Sequence, residues 1–413
     1  MSISSAPPAL PGKNNIYPAA LVLTVVLMSI ITVFSPRFMA YAPGLVAVIM
    51  AAVGFYMAQK PVLPKTALLW VAVIIGLAGL SCFWSIVPDF AVKRTLKMAM
   101  VLLPGVLLLG LVLSVDREYI KRFLWLLPAC IIVTAFVNCI ELFFDMPVYR
   151  FVRGLDSEAI IGRSGSNRGV FCTVATFFVC IPVILKQDNW KHYRYLALAI
   201  LSGLVVLMLS FSESQSSQLC FAVGLLFFLA FPYRVKAAWI FIALVLTLLI
   251  LTAPWIVQIM FKTLPAHVGS LESGSWLANG YAAHRMEIWD FIGRYILQNP
   301  LYGYGIEATR HIEDFDTQML YHPDNMILHP HNFALQLWIE FGLIGAVMGC
   351  LFLTHLIYRI YQMPSGAGRI ALPTLFSFLS VAATGYGMWQ GWWLGECILM
   401  LSLSTLVIRA YHK

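Results

Sequence analysis

Long apolar runs separated by short polar links dominate the chain. A helix that crosses about 30 Å of hydrocarbon needs roughly 20 mostly apolar residues, and that template predicts about twelve membrane spans. The predicted spans lie near residues 18–34, 41–58, 66–86, 95–114, 121–144, 168–185, 194–211, 217–232, 237–260, 332–358, 368–388 and 391–409. The pattern therefore predicts an all-α polytopic membrane protein.

One polar segment, residues 261–331, is much longer than the other links. It divides the chain into spans one to nine (1–260), a loop with amphipathic helices, and spans ten to twelve (332–413). Between Ala283 and Leu297, apolar residues recur at helical spacing. Glu287, Asp290 and Arg294 fall on the opposite face, which predicts an amphipathic helix that ends at Asn299-Pro300.

Composition supports a membrane location: 60% of the residues are hydrophobic and 11% are charged, with a net charge of +8. Lys and Arg concentrate in short links on one side, so the positive-inside rule places both termini in the cytoplasm and the long loop outside. In this setting the basic charge indicates contact with lipid headgroups rather than nucleic acid. The eight cysteines lie in or beside apolar runs and suggest neither a disulfide framework nor a metal site.

Histidines crowd the long loop, and His329-Pro-His331 lies where the chain re-enters the membrane. A proline between two histidines is a poor spacing for one metal ion, and no familiar metal motif appears. Near neutral pH, histidine also serves as a general base. His331 is placed for that role, with Asn332 following, although a helix cap at the membrane boundary explains its position equally well.

Basic residues on the outer side run against the topology rule and suggest an anionic ligand. Arg163 and Arg168 lie in a Gly/Ser-rich turn before the sixth span, Arg285 opens the loop helix, and Lys93 and Arg94 begin the fourth span. Guanidinium groups bind phosphate in a bidentate manner. The alternative is anchoring to lipid headgroups. The polar link that contains Glu213 either contacts a sugar or is an ordinary loop.

Three short motifs follow one another along the second half of the chain. They are Arg285…Trp289, then Asn299-Pro-Leu-Tyr-Gly-Tyr-Gly305, then His329-Pro-His-Asn332 followed by Gly342-x-x-Gly345. This order resembles the O-antigen ligase/polymerase family of bacterial inner-membrane enzymes. The resemblance implies about a dozen spans, a large helical periplasmic loop between the ninth and tenth spans, and an architecture similar to membrane glycosyltransferases of the GT-C class.

The ligase branch of the family implies an activity in lipopolysaccharide biosynthesis. The donor would be a glycan on undecaprenyl pyrophosphate, the acceptor a lipid A-core sugar, and the reaction an inverting displacement without metal or other cofactor on the periplasmic side. By that resemblance His331 is the base and Arg285, with Arg168 or Arg163, stabilises the leaving pyrophosphate. His329 and Asn332 would orient the base or the substrate, and Lys93, Arg94 and Glu213 would contact substrate.

Three other functions fit parts of the pattern. An O-antigen polymerase shares the topology and would join one carrier-linked glycan to another, and a protein O-oligosaccharyltransferase would usually carry additional periplasmic sequence. A transporter would show related halves with matched Gly/Pro interruptions, and no such pairing appears. The complete histidine motif and the compact chain favour the ligase.

Overall fold

A computed structural model describes residues 17–56, 60–156, 163–264, 282–312 and 327–412, with the side chains of these residues apart from 17–21, 163 and 164. The α-helices in these ranges are α1 Tyr17–Phe34, α2 Ala42–Tyr56, α3 Lys65–Ser81, α4 Pro88–Ser114, α5 Arg117–Leu124, α6 Leu126–Phe143, α7 Pro147–Arg153, α8 Asn167–Lys186, α9 Arg194–Phe211, α10 Gln215–Ala230, α11 Lys236–Leu251, α12 Ala253–Thr263, α13 Ala282–Gln298, α14 Phe333–Tyr361, α15 Ser365–Ala382 and α16 Gly391–Tyr411.

Each predicted span coincides with one of these helices or with a consecutive pair. Within the described ranges, six segments are long and apolar enough to cross a membrane: α4, α5 with α6, α8, α9, α14 and α16. A bent pair, α11 with α12, raises this number to seven, and several further apolar helices are shorter. The chain is therefore a helical, multi-pass membrane protein, while a total of twelve spans and the division into three regions stay predictions.

The ninth predicted span, 237–260, is two helices rather than one. Helices α11 and α12 meet at an angle of 75° around Thr252. Pro254 lies in the first turn of α12, where the missing backbone N–H and the fixed φ of proline favour a new helix start. The indole of Trp338 donates to the carbonyl of Ile250 at 2.7 Å and thereby holds the end of α11 against α14. Helix α12 then packs against the loop helix α13.

The predicted loop helix is confirmed as α13, and it ends at Gln298, just before Asn299-Pro300. Its predicted polar face is wrong, however, because Glu287 and Asp290 are 5% and 7% exposed. Helix α13 packs against both α12 and α14, so the face that the sequence assigned to solvent is covered by protein. Arg294 compensates for part of this burial, since its guanidinium pairs with the Asp290 carboxylate at 3.0 Å.

A break in α14 receives the glycine-containing loop that follows α13. At Gly342 the backbone leaves the helical region, with φ +60° and ψ −149°. The carbonyls of Ile339 and Glu340 instead accept hydrogen bonds from the N–H groups of Tyr304 and Gly305, at 2.8 and 2.9 Å. The loop thus satisfies backbone groups that a kinked helix leaves unpaired, and it fixes the position of α13 relative to α14.

Replacing Gly342 with alanine is expected to destabilise the protein strongly. A methyl group there would lie 2.4 Å from the carbonyl carbon of Leu301, and the backbone conformation alone costs a residue with a side chain about 1–3 kcal/mol. The thermal unfolding midpoint of the purified protein in detergent measures the effect. Gly203→Ala is the matched control, because nothing lies within 4 Å of its added methyl group. Equal midpoints for the two variants would contradict this account of the break.

Candidate functional site

Asn332, not His331, caps the helix at the point where the chain re-enters the membrane domain. The side-chain oxygen of Asn332 accepts hydrogen bonds from the N–H groups of Ala334 and Leu335, at 3.0 and 3.1 Å. His331 lies just outside the helix in the left-handed region, with φ +54°. Such a conformation is uncommon for residues other than glycine and concentrates at functional sites. The sequence allows two roles for His331, a general base or a helix cap. In the structure Asn332 is the helix cap.

The ring of His331 is oriented by a backbone carbonyl on the α15–α16 loop. Its Nδ1 donates a short hydrogen bond to the carbonyl of Gly385. In the neutral ring only one nitrogen carries a proton, so a proton on Nδ1 makes Nε2 the basic nitrogen. This arrangement gives His331 the tautomer that a general base requires.

Residues 383–390 form this loop, although the sequence predicted that the eleventh span would continue to residue 388. Helix α15 ends earlier, at Ala382. Side chains on α14 hold the loop in place: the amide oxygen of Gln336 accepts from the N–H of Met388 at 2.9 Å, and the carboxylate of Glu340 accepts from the indole of Trp389. The buried polar residues of the tenth predicted span therefore position one wall of the site.

His329 lies beside His331 and is more deeply buried, with 8% of its surface exposed. The two ring centroids are 4.1 Å apart. The N–H of His331 donates to Nδ1 of His329 at 3.3 Å, and the side-chain nitrogen of Gln390 lies 3.1 Å from its Nε2. Burial, followed by the charges of His331, Arg310 and Arg285, lowers the pKa of His329 to about 3. His329 is therefore neutral at physiological pH and supports its neighbour.

Burial of His329 is expected to make the protein sensitive to acid. Because an exposed histidine has a pKa of 6.5 and folded His329 has one of about 3, the unfolded chain binds the proton first as the pH falls. The stability linked to His329 is fully present above pH 6.5 and decreases as the pH falls towards 3. His329→Gln should flatten the dependence of the unfolding midpoint on pH in this window. His192→Gln, at an exposed position, is the control; the same slope for both variants would contradict the assignment.

Two of the predicted arginines lie near one tyrosine that sequence reasoning missed. Burial raises the pKa of the Tyr386 hydroxyl to about 12, while the positive charges of Arg168 and Arg285 oppose that shift. Burial likewise lowers the pKa of Arg285, and Tyr386 opposes it. In the described part of the chain neither arginine forms a salt bridge with a carboxylate. Arg168, Tyr386 and Arg285 are each half-buried, and we call this group of side chains the inner arginine cluster.

Arg168 is positioned by close packing at the start of α8. A methyl group on the next residue, Gly169, would lie 2.6 Å from the carbonyl oxygen of Thr32, so only glycine lets α8 approach α1 this closely. The guanidinium of Arg168 lies over the ring of Trp392, 5.4 Å from its centroid. Its Nε is buried and has no hydrogen-bond partner among the described residues. Arg163 lies in the short 3-10 helix Arg163–Ser166, and its side chain is outside the described set.

The remaining candidates are Arg94, Lys93 and Glu213. Arg94 is not available as an unpaired cation, because its guanidinium forms an ion pair with the buried carboxylate of Glu307 at 3.0 Å. Lys93, on the same helix, is exposed, and Glu213 is exposed in the turn between α9 and α10. Among the residues that the structure describes, no three His, Cys, Asp or Glu side chains converge as metal ligands do.

A part of the chain that contains several of the candidate residues is similar to known proteins. Residues 196–350 match the family model for O-antigen ligase, a segment that contains Arg285, His329 and His331. A candidate polysaccharide ligase from Rickettsia conorii is 28% identical over 249 residues, which are 58% of this chain and 57% of that protein. One from Rickettsia felis is 28% identical over 260 residues, which are 61% of this chain and 60% of that protein. One from Rickettsia typhi is 26% identical over 245 residues, which are 58% of this chain and 58% of that protein. The aligned part thus spans less than two thirds of the length of these relatives.

Proposed function

We propose that this protein transfers a glycan from undecaprenyl pyrophosphate to a lipid A-core sugar. The proposal starts from the match of residues 196–350 to the family model for O-antigen ligase. The observation that carries the proposal is the contact of a tautomer-fixed histidine with the two elements that hold the arginines. His331 bonds to the carbonyl of Gly385, next to Tyr386, and the ring of Tyr386 and the guanidinium of Arg168 both lie against Trp392. The indole of Trp289, one turn after Arg285 on α13, donates to the carbonyl of Pro330 at 2.8 Å, just before His331. We place the reaction on the periplasmic side of the bacterial inner membrane, because the long loop that contributes Arg285 and His331 lies opposite the lysine- and arginine-rich links.

The chemistry that these side chains support is a direct displacement at the anomeric carbon of the donor sugar. Nε2 of His331 takes the proton of the acceptor hydroxyl as the hydroxyl oxygen forms the new bond to that carbon. The bond between the anomeric carbon and the phosphate oxygen breaks, and its electron pair leaves with the carrier pyrophosphate. Attack opposite to the leaving group inverts the configuration. His329, which is neutral, orients His331 through the backbone N–H contact.

The inner arginine cluster would bind the pyrophosphate. As the bond to the sugar breaks, negative charge grows on the leaving phosphate, and only contacts that strengthen at that moment accelerate the reaction. Arg168 and Arg285 supply fixed positive charge at a half-buried site, and the hydroxyl of Tyr386 can donate a hydrogen bond to a phosphate oxygen. A cationic cluster of this kind performs the charge stabilisation that divalent metals perform in other phosphate-transferring enzymes.

Reconstitution tests the proposed activity and separates it from its closest alternative. Full-length protein in liposomes receives carrier-linked glycan as donor and either rough lipopolysaccharide or a second carrier-linked glycan as acceptor. The proposal predicts transfer to lipopolysaccharide and no chain extension on the carrier, with the same rate in the presence of a metal chelator. Extension on the carrier alone identifies a polymerase. Loss of transfer in chelator would contradict catalysis by side chains without metal.

A further inference from the structure

A second group of cationic side chains contains Arg94 and Arg310, and the displacement described above assigns no step to it. Arg94 on α4 and Arg310 on the loop both pair with one oxygen of Glu307, at 3.0 and 2.7 Å. Both guanidiniums also lie over the ring of Phe90, 5.2 and 5.5 Å from its centroid. We call this group the outer arginine cluster. Two positive charges against one carboxylate leave it with a net positive charge.

The outer arginine cluster has unused hydrogen-bonding capacity. In the described structure the Nε atoms of Arg94 and Arg310 and the hydroxyl of Thr309 are buried without partners. Buried polar groups in folded proteins nearly always have partners, so several unsatisfied groups in one place indicate a missing polar component such as a ligand or ordered water. At the same time, 24% of each guanidinium-bearing side chain is exposed, and the remaining N–H groups can reach a ligand from outside.

The two arginine clusters connect to different residues of the loop at 383–390. On the inner side, the ring of Tyr386 lies 4.6 Å from that of Trp392, over which the guanidinium of Arg168 lies. On the outer side, the N–H of Gly305, two residues before Glu307, donates to the carbonyl of Glu340, whose carboxylate accepts from the indole of Trp389. The histidine pair contacts the same loop, through the carbonyl of Gly385 and the side chain of Gln390.

We propose that the outer arginine cluster binds a phosphate group of the acceptor lipid. The inference rests on the function proposed above, in which the inner cluster binds the donor pyrophosphate. In a displacement with inversion, the attacking hydroxyl approaches the anomeric carbon from the side opposite to the leaving phosphate. The outer arginine cluster is separate from the arginines assigned to the leaving phosphate, so it is available for the acceptor. Arginine recognises phosphate through paired, charge-assisted hydrogen bonds.

Glu307 has a positioning role in this site. Its side chain is 3% exposed and its backbone is in the left-handed region, with φ +55°. One carboxylate that pairs with two guanidiniums holds them close together despite their mutual repulsion. The contacts with Glu307 are ion pairs, because its Oε2 is buried and accepts no hydrogen bond from the described residues. The arrangement separates binding of the acceptor from binding of the donor, because the two lipids contact different arginines.

The test compares two acceptors with full-length protein reconstituted in liposomes. One acceptor is rough lipopolysaccharide with its phosphate groups, and the other is the same lipid after enzymatic dephosphorylation. Loss of one charge-assisted hydrogen-bonding group should raise KM for the phosphorylated acceptor by about tenfold in Arg310→Gln and in Arg94→Gln. KM for the donor should stay within about twofold of wild type, and the variants and wild type should use the dephosphorylated acceptor equally well, since the lost contact is absent from both.

Control variants separate binding from folding. Lys121→Gln also removes a paired cation, from the exposed pair with Glu118, and should leave both KM values unchanged. Arg310→Lys keeps the charge and should recover part of the affinity for the phosphorylated acceptor. A rise in KM for the donor instead, or an equal rise with both acceptors, would overturn the inference. If wild type transfers no glycan, the proposed function fails. Binding of the acceptor in the absence of donor still tests the outer arginine cluster. Equal affinity of wild type and Arg310→Gln for the phosphorylated lipid would overturn the inference.

Discussion

Replacing His331 with asparagine is expected to lower the rate of glycan transfer by about 10²–10⁴-fold, the range that a positioned general base contributes. Asparagine suits the test because it tolerates the left-handed backbone at this position better than most residues. Its side-chain amide keeps a donor for the carbonyl of Gly385 but supplies no basic nitrogen. The fold and the binding of donor should therefore persist while the chemical step slows. Single-turnover rates at saturating donor measure that step directly.

A rescue experiment distinguishes a base from a merely structural histidine. In His331→Gly the backbone conformation is again permitted, and the side chain leaves a space for a small base. Added imidazole should restore part of the activity in this variant and should not affect wild type. The exposed histidine in His192→Gln serves as control and should give a wild-type rate. A rate for His331→Asn within twofold of wild type would exclude His331 as the base.

Arg285→Gln is expected to cost about 10²–10³-fold in transfer, as the loss of one charge-stabilising donor does in other enzymes. The effect should be larger on the chemical step than on donor affinity, because Arg168 still binds the ground-state pyrophosphate while the developing charge loses one of its two cations. Arg285→Lys keeps a charge without the planar guanidinium and should lie between wild type and Arg285→Gln.

The matched control for this prediction lies on the same helix. Arg294→Gln removes a guanidinium that is 46% exposed and pairs with Asp290 rather than with the inner arginine cluster. It should transfer glycan at a rate close to that of wild type. Equal losses in Arg285→Gln and Arg294→Gln would mean that α13 needs its charges for stability, and the role of Arg285 in catalysis would then be rejected.

Hydrophobic length predicted the helices well, because apolar runs of sufficient length have few alternatives in a membrane. It predicted the ends of helices poorly. Helix α15 ends at Ala382, six residues before the expected end, and the loop that follows contributes both the carbonyl that orients His331 and the hydroxyl of Tyr386. Apolar and aromatic residues in this loop extend the hydrophobic signal although the backbone has already left the helix.

Candidate site residues can be recognised in the sequence where the chemistry of a residue conflicts with its position. The sequence alone singles out Arg168 and Arg285, which the topology rule predicts on the outer side, and a histidine motif at the predicted end of the long loop. It does not single out Tyr386, since a tyrosine at a membrane interface is ordinary. Its flanking glycines, Gly385 and Gly387, are a local signal of close packing, because a methyl group on Gly387 would lie 3.0 Å from the ring of His329. The burial of Glu287 and Asp290 was also unpredictable, because helical periodicity identifies two faces of a helix but not which neighbours cover them.

The central claim is that the inner arginine cluster and His331 act on the same phosphate-linked sugar. The most direct measurement is a structure of the full-length protein with undecaprenyl pyrophosphate bound. The account predicts both phosphates in contact with the guanidiniums of Arg168 and Arg285 and the hydroxyl of Tyr386, with the ring of His331 facing the space above the terminal phosphate. A carrier whose phosphates lie away from Arg285, or a His331 ring that faces away from them, would contradict it.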